Sequence, residues 1–223
     1  LALGRRREIA PGVSLRLLEA GHILGSASVE LTVTLGDATR VLVFSGDLGP
    51  AGAPILQDPE PPGAADLVVL ESTYGNRERP PRAATVALFK EILAAAVRAR
   101  ARVVIPAFAV GRAQLLLYYV AEAIREGAIP PLPVYLDSPM AAAATVAYLH
   151  HQELYDEEFG RLVQGGQLRA DLKTLRVVAS AAESRALNDV DAACVIISAA
   201  GMCDAGRVVH HLRHTLWRHD AHV

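Results

Sequence analysis

The chain has 223 residues, of which 52% are hydrophobic and 21% are charged, and its formal net charge is -2 at pH 7. That composition agrees with a soluble globular core. The net charge excludes an overall basic field that would attract nucleic acid, so an RNA partner would need a local basic groove. No apolar run approaches the roughly 20 residues that span a bilayer, so no membrane partner is expected. Cys194 and Cys203 are too few for a disulfide framework or a zinc ribbon. Reduced thiols in a cytoplasmic protein are the simplest interpretation.

The first 70 residues predict strands joined by loops. Runs rich in Val, Leu and Thr predict strands over Val13–Glu19, 28–34 and 41–44, and the Pro- and Gly-rich stretch 49–63 predicts a surface loop. Residues 66–70, which are continuously apolar after Asp66, predict a buried strand covered on both faces.

From residue 66 onward, predicted strands and helices alternate. The predicted helices are 83–100, 111–126, 141–150 and 207–216, and the predicted strands are 102–106, 134–136, 175–178 and 193–198. This alternation predicts an α/β fold with a parallel sheet. A domain boundary is expected near residues 72–80, where the pattern changes.

Two loops carry side chains suited to a metal site. His22 lies in the glycine-flanked loop G-H-I-L-G-S, and Asp47 follows an apolar strand in F-S-G-D-L-G. Imidazole nitrogen and carboxylate oxygen are standard zinc ligands, and a carboxylate can bridge two ions. The alternatives are a packed loop histidine at position 22 and an aspartate at 47 that only caps a turn.

Two further turns are candidates for binding phosphate. Arg112 opens a predicted helix, and helix N-termini bind phosphate, although this arginine could equally pair with a carboxylate. The segment from Ser198 onward is the better candidate, because Gly201, Gly206 and Arg207 surround a turn that opens another helix.

Six motifs, in this order, resemble the β-CASP branch of the metallo-β-lactamase fold. They are G-H-I-L-G-S at 21–26, F-S-G-D-L-G at 44–49, L-E-S-T-Y-G-N-R at 70–77, I-P-A-F-A-V-G-R-A-Q at 105–114, V-Y-L-D-S-P-M-A at 134–141 and I-I-S-A-A-G-M-C at 196–203. That branch contains RNA-processing nucleases, including the endonuclease of messenger-RNA 3′-end formation and the RNase J type. The resemblance spans nearly all of the chain.

The resemblance implies the second half of a metallo-β-lactamase αββα sandwich over residues 1–75. An inserted β-CASP domain with a mainly parallel sheet flanked by helices would follow over residues 76–223. It implies a zinc-dependent nuclease that hydrolyses single-stranded RNA through a hydroxide held by two zinc ions. A homodimer, or association with subunits of a processing complex, would suit such an enzyme.

The resemblance also assigns roles to three residues. His22 becomes a zinc ligand, Asp47 becomes the carboxylate that bridges two zinc ions, and Glu71 becomes an acid that orients a downstream catalytic histidine. The alternative for Glu71 is a carboxylate that only accepts hydrogen bonds from backbone N–H groups of the next turn.

One expected motif is missing. Enzymes of this fold carry H-x-H-x-D-H upstream of these motifs, and this sequence contains no such pattern. The chain is therefore expected to be an internal segment of a longer enzyme, inactive and weak in zinc binding by itself. Two other functions stay open, namely a non-catalytic RNA-binding or scaffold subunit and a DNA-directed β-CASP nuclease or other hydrolase on this fold.

Overall fold

A computed structural model of the chain describes residues 2–219 and 221–223. The fold divides into two compact units. Unit 1 comprises Leu1–Glu78 and Glu153–Gly160, and unit 2 comprises Arg79–Gln152 and Arg161–Val223. In the part of the chain that the structure describes, none of the helices is both long and apolar enough to cross a membrane.

Unit 1 is built on one five-stranded sheet in the order β1-β2-β3-β4-β5. The first four strands form an antiparallel meander, and β5 pairs with β4 in parallel. The strands are β1 (Arg7–Ala10), β2 (Val13–Glu19), β3 (Ala27–Leu35), β4 (Ala38–Phe44) and β5 (Leu67–Val69). The segment Glu153–Gly160 joins this unit, and Tyr155 forms a bridge to Leu56.

Strand β5 corrects the expectation of a buried strand. Leu67, Val68 and Val69 are 51%, 52% and 49% exposed. The expectation was wrong because β5 is an edge strand of its sheet and pairs only with β4. In the described residues, its apolar side chains stay exposed to solvent. Strand β4, which precedes Asp47, is likewise only partly buried, with Val43 inside and Phe44 exposed.

An ionic cluster around the buried Glu30 favours the observed register of β2 against β3. Glu30, on β3, lies directly opposite Arg16 on β2 and is 4% exposed. Arg16 donates from Nε and Nη2 to the two carboxylate oxygens at 3.2 and 2.7 Å, and Arg6 donates to Glu30 Oε1 at 2.9 Å. The hydrogen bonds from Arg16 lower the pKa of Glu30 below its ordinary value, so the carboxylate stays ionised. A two-pronged pair of this kind favours one register over its neighbours.

Unit 2 contains a five-stranded sheet in the order β10-β6-β9-β7-β8, and all its pairings are parallel. Its strands are β6 (Arg102–Pro106), β7 (Val134–Asp137), β8 (Leu175–Val177), β9 (Cys194–Ser198) and β10 (Ala221–His222). The helices of the chain are α1 (Arg82–Arg98), α2 (Arg112–Arg125), α3 (Pro139–His150), α4 (Glu157–Gln164), α5 (Gln167–Asp171), α6 (Ala181–Ala186) and α7 (Arg207–Thr215). The predicted α/β fold with a parallel sheet is confirmed.

The core of unit 2 lies on both faces of strands β6, β7 and β9. On β9, Val195 and Ile197 pack into one apolar cluster, whereas Cys194 and Ile196 pack into another. Alternate residues of a strand point to opposite faces, so both faces of this sheet are covered. Fully burying each such aliphatic side chain contributes about 1.5–3 kcal/mol, which explains why the run around Val195 is continuously apolar.

Candidate functional site

His22 and Asp47 face each other across two loops of unit 1. His22 Nε2 lies 3.9 Å from Asp47 Oδ2, and the two side chains are 44% and 77% exposed. A tetrahedral zinc ion with bonds of about 2.0–2.1 Å holds its ligand atoms about 3.4 Å apart. The spacing therefore fits two ligands of one cation after a small side-chain adjustment, and the donor atoms are the types that zinc binds.

The backbone around His22 is held from both ends. Ser26 Oγ accepts hydrogen bonds from the backbone N–H groups of His22 and Ile23, at 3.1 and 3.2 Å. Glu19 Oε1 accepts from the N–H of Gly21 at 2.8 Å, where φ is +62°. These bonds hold the backbone that carries the imidazole before any ligand arrives, so the loop is preorganised.

The second loop approaches the first through Gly49. The N–H of Gly49 donates to Ala20 O at 2.8 Å. A Cβ atom at position 49 would lie 1.8 Å from Gly21 O and 2.8 Å from His22 N. Only glycine allows this contact, which brings the loop of Asp47 against the loop of His22.

Glu71 ties the turn after β5 to the loop of Asp47. Its Oε1 accepts from Leu48 N–H at 2.9 Å, and its Oε2 accepts from Thr73 N–H at 3.2 Å. The hydrogen bond from Leu48 is the main cause that lowers the pKa of Glu71, followed by those from Thr73, and the nearby His22 acts in the same direction. Glu71 is thus an ionised carboxylate that holds the residue next to Asp47.

Within residues 2–219 and 221–223, no group of three or more His, Cys, Asp and Glu side chains is placed to hold a metal ion. Protein zinc sites use three or four protein ligands, so His22 and Asp47 would supply only part of such a set, and their role as zinc ligands stays a prediction.

A buried polar network lies at the carboxyl end of β7 in unit 2. Asp137 is 0% exposed, and its Oδ1 accepts from Arg207 Nη1 at 2.7 Å. Its Oδ2 lies 2.5 Å from Ser184 Oγ and 2.5 Å from His211 Nε2, while its backbone oxygen accepts from Ser198 Oγ at 3.0 Å. Asp137 therefore joins β7 to α6 and α7 through its carboxylate, and to β9 through its backbone oxygen.

Hydrogen bonding decides the charge of this carboxyl group. Burial pushes the pKa of Asp137 upward, but hydrogen bonds from His211, Ser184 and Arg207 outweigh burial and hold the pKa below its ordinary value of 3.8. The network therefore contains a carboxylate anion facing a guanidinium, which suits a buried ion pair with several hydrogen bonds.

The depressed pKa sets the direction of a pH effect. An acid whose pKa is lower in the folded chain stabilises the fold above its unfolded pKa, and that stabilisation is lost as the pH falls through the folded pKa. For Asp137 the contribution is thus full above about pH 4 and lost below it. We expect the difference in unfolding free energy between wild type and Asp137→Asn to shrink below pH 4, measured by urea unfolding at a series of pH values. An undiminished difference at pH 2 would contradict an ionised Asp137.

The predicted phosphate-binding residues Ser198 and Arg207 lie inside this network. Arg207 also donates to Val178 O at 2.9 Å and to Ala179 O at 3.0 Å, and Ser198 is 1% exposed. Their side chains hold the ends of strands and helices together. A contact with RNA phosphate stays a prediction for both.

Gly201 and Gly206 allow close backbone packing in the loop between β9 and α7. Gly206 has φ +79°, and a Cβ there would lie 2.4 Å from Ala199 O. A Cβ at Gly201 would lie 2.9 Å from Phe108 N and 3.1 Å from Phe108 Cδ2. Both glycines are therefore required by the fold of the loop, and a role in binding phosphate stays a prediction.

Arg112 is exposed at the first position of α2, and the described residues give its side chain no ion pair with a carboxylate. The amides around it are already occupied. Gly111 N–H donates to Gln114 Oε1 at 2.8 Å, and Ala113 N–H donates to Phe108 O at 3.1 Å. A phosphate at Arg112 would thus be held by the guanidinium more than by the helix terminus.

No role was predicted from the sequence for Asp137, Ser184 or His211. The signal that could have found Asp137 is a charged residue at the end of a strand that is otherwise continuously apolar. His211 lies four residues after Arg207, on the same face of α7, and is 1% exposed, whereas His210 and His214 are exposed. Ser184 gave no signal, since its position depends on the fold.

Comparison with known proteins decides the family. The Beta-Casp domain matches residues 113–223 of the chain. The chain belongs to the β-CASP family. Ribonuclease TTHA0252 of Thermus thermophilus is 39% identical over 222 residues, which cover 96% of this chain and 50% of that protein.

Two β-CASP relatives from archaea are also similar. The transcription termination factor FttA of Methanosarcina mazei is 31% identical over 211 residues, covering 92% of this chain and 32% of that protein. An RNase J-like protein of Methanocaldococcus jannaschii is 28% identical over 210 residues, covering 93% and 47%. The chain thus spans half or less of the length of these relatives. The resemblance to β-CASP proteins predicted from the six motifs is confirmed.

Proposed function

We propose that this protein hydrolyses RNA phosphodiester bonds at a two-zinc centre to which His22 and Asp47 contribute ligands. The observation that supports this function best is the 3.9 Å spacing of the two donor atoms on preorganised, exposed loops. The names of two relatives, a ribonuclease and an RNase J-like protein, suggest the reaction class. We assign residues 1–75 to the metallo-β-lactamase part and residues 76–223 to the β-CASP domain.

Each residue of the centre has a separate task in this proposal. The bound zinc ions would supply Lewis acidity and lower the pKa of a coordinated water. Asp47 has two carboxylate oxygens, so it can offset the repulsion between two cations. Glu71 keeps Asp47 in place through Leu48 N–H, and Ser26 keeps the backbone of His22 in place. Glu71 is therefore a positioning residue here rather than a group that touches the substrate.

The test is RNA cleavage by the whole protein from which this sequence comes. His22→Ala and Asp47→Ala are expected to lower the cleavage rate of a 5′-labelled single-stranded RNA by at least about 100-fold, since even outer partners of zinc ligands change activity by about 10–100-fold. Zinc content, measured by atomic emission, is expected to fall with the rate. His210→Ala is the matched control, because His210 is exposed and lies in unit 2.

Unchanged cleavage and zinc content in both His22→Ala and Asp47→Ala would contradict the proposed centre. A parallel assay with single-stranded DNA of the same sequence separates an RNA enzyme from a DNA-directed nuclease. Wild-type cleavage of DNA but not of RNA would assign the chain to the second class.

A non-catalytic RNA-binding subunit is the second candidate, and one observation favours it. One relative, FttA of Methanosarcina mazei, is named a transcription termination factor and not a nuclease. Tight RNA binding by the whole protein without cleavage, unaltered by Asp47→Ala, would establish that function. Either function suits the cytoplasm, which the free thiols of Cys194 and Cys203 support.

A further inference from the structure

Three large apolar side chains are exposed at one edge of the parallel sheet in unit 2. Phe108, Met140 and Met202 are 56%, 66% and 72% exposed. They follow the adjacent strands β6, β7 and β9, whose last residues lie level, with Pro106 opposite Ser198 and Ser198 opposite Asp137. The loops that carry the three side chains therefore leave the sheet at the same carboxyl edge, where α/β proteins bind ligands.

Phe108 is held firmly although its ring is open to solvent. Its backbone oxygen accepts from Ala113 N–H at 3.1 Å, in the first turn of α2. The backbone of Gly201 lies so close that a Cβ there would meet Phe108 N at 2.9 Å and Phe108 Cδ2 at 3.1 Å. A fixed aromatic ring that is more than half exposed can receive a flat ligand without first losing much conformational freedom.

The charges around this edge favour a ligand with a phosphate. Arg112 follows Phe108 by four residues and is exposed, and no carboxylate pairs with it within the described part of the chain. Arg207 is different, because its guanidinium is already paired with Asp137. Asp204 is an exposed carboxylate in the loop between β9 and α7, so the loops at this edge are not all basic. Arg112 therefore attracts a phosphate only in its own surroundings.

We propose that Phe108, flanked by Met140 and Met202, is a stacking surface for an unpaired nucleobase, and that Arg112 binds a neighbouring phosphate of the same strand. This inference rests on the proposed function in RNA, and it adds the site and the single-stranded form of the ligand. An aromatic ring stacks on any base, because every base has a π face. Bases inside a duplex are already stacked, so the surface selects unpaired strands. The two methionines adapt to bases of different size.

The experiment measures binding of three fluorescent oligonucleotides, at low salt, to the whole protein from which this sequence comes. They are a single-stranded RNA of ten nucleotides, the same RNA in a duplex, and a strand of the same length without bases. Phe108→Ala is expected to weaken binding of the single strand by about 5- to 150-fold, as for loss of one stacked base, while Phe108→Trp keeps it. Arg112→Ala is expected to weaken binding. It should also lower the slope of the logarithm of the binding constant against the logarithm of salt concentration, by the equivalent of about one phosphate contact.

Leu88→Ala is the matched control, because Leu88 is 55% exposed on α1 and belongs to the same unit. Circular dichroism checks that each variant is folded. Equal binding of the single strand by wild type, Phe108→Ala and Leu88→Ala would overturn the stacking surface and leave the proposed function standing. Equal weakening of the strand without bases would also overturn it, because the contact would then not involve a base. Absence of any RNA binding or cleavage by the wild-type protein would overturn both.

Discussion

Replacing Asp137 with alanine is expected to lower the free energy of unfolding of unit 2 by about 3–5 kcal/mol. The substitution removes the partner of Arg207 Nη1 at 2.7 Å and of His211 Nε2 at 2.5 Å, and both groups stay in place inside the fold. Breaking one side of a buried pair is severe because the remaining charge is left desolvated and unpaired. Urea unfolding followed by circular dichroism measures the change.

Glu126→Ala is the matched control in the same unit. Glu126 pairs with Lys90 at 2.6 Å, but it is 52% exposed, and Lys90 keeps a second partner in Glu122 at 2.8 Å. Exposed pairs contribute about 0–1 kcal/mol, so this variant is expected to be close to wild type. If Asp137→Ala is as mild as Glu126→Ala, the polar network does not stabilise unit 2, and the carboxyl ends of β7 and β9 are held by apolar packing alone.

The sequence predicted the parts of the fold that depend on local pattern. Strands β6, β7 and β9 were predicted because each contains an apolar run of three or four residues, as is typical of strands that are buried on both faces. Helix α2 was predicted to within a residue or so at each end. Strand β5 is also apolar in sequence, yet it is an exposed edge strand. An apolar run does not show whether other elements of the fold will pack against it. Short elements such as α5 and α6 gave too few residues for a periodic pattern.

The candidate metal residues were also predicted from local sequence patterns. A histidine between glycines and an aspartate after a strand are visible in sequence, and the structure places His22 and Asp47 3.9 Å apart. The network around Asp137 was not visible, because Ser184 and His211 lie 47 and 74 positions away in the chain. Contacts at such separation depend on the order of strands in the sheet, and sequence alone does not fix that order.

Replacing Gly49 with alanine is expected to separate the loops of His22 and Asp47. The added Cβ would lie 1.8 Å from Gly21 O and 2.2 Å from Gly21 C, and both atoms are backbone, so a loop must move by an ångström or more. The φ angle of Gly49 is not in the left-handed region. The effect therefore comes from the clash and not from the backbone preference of alanine. Displacement also breaks the bond from Gly49 N–H to Ala20 O at 2.8 Å.

We expect Gly49→Ala to lower zinc affinity of the whole protein by about 10–100-fold, as for loss of an outer contact that positions a ligand, and to destabilise unit 1 by about 1–3 kcal/mol. Competition with a zinc-binding dye measures the affinity, and urea unfolding measures the stability. Gly63→Ala is the matched control, because a Cβ at position 63 meets nothing within 4 Å. It should be neutral or slightly stabilising, since alanine has fewer unfolded conformations than glycine. Wild-type zinc affinity in both variants would mean that the close contact at Gly49 is not needed to hold His22 beside Asp47, and the two-loop metal site would lose its structural basis.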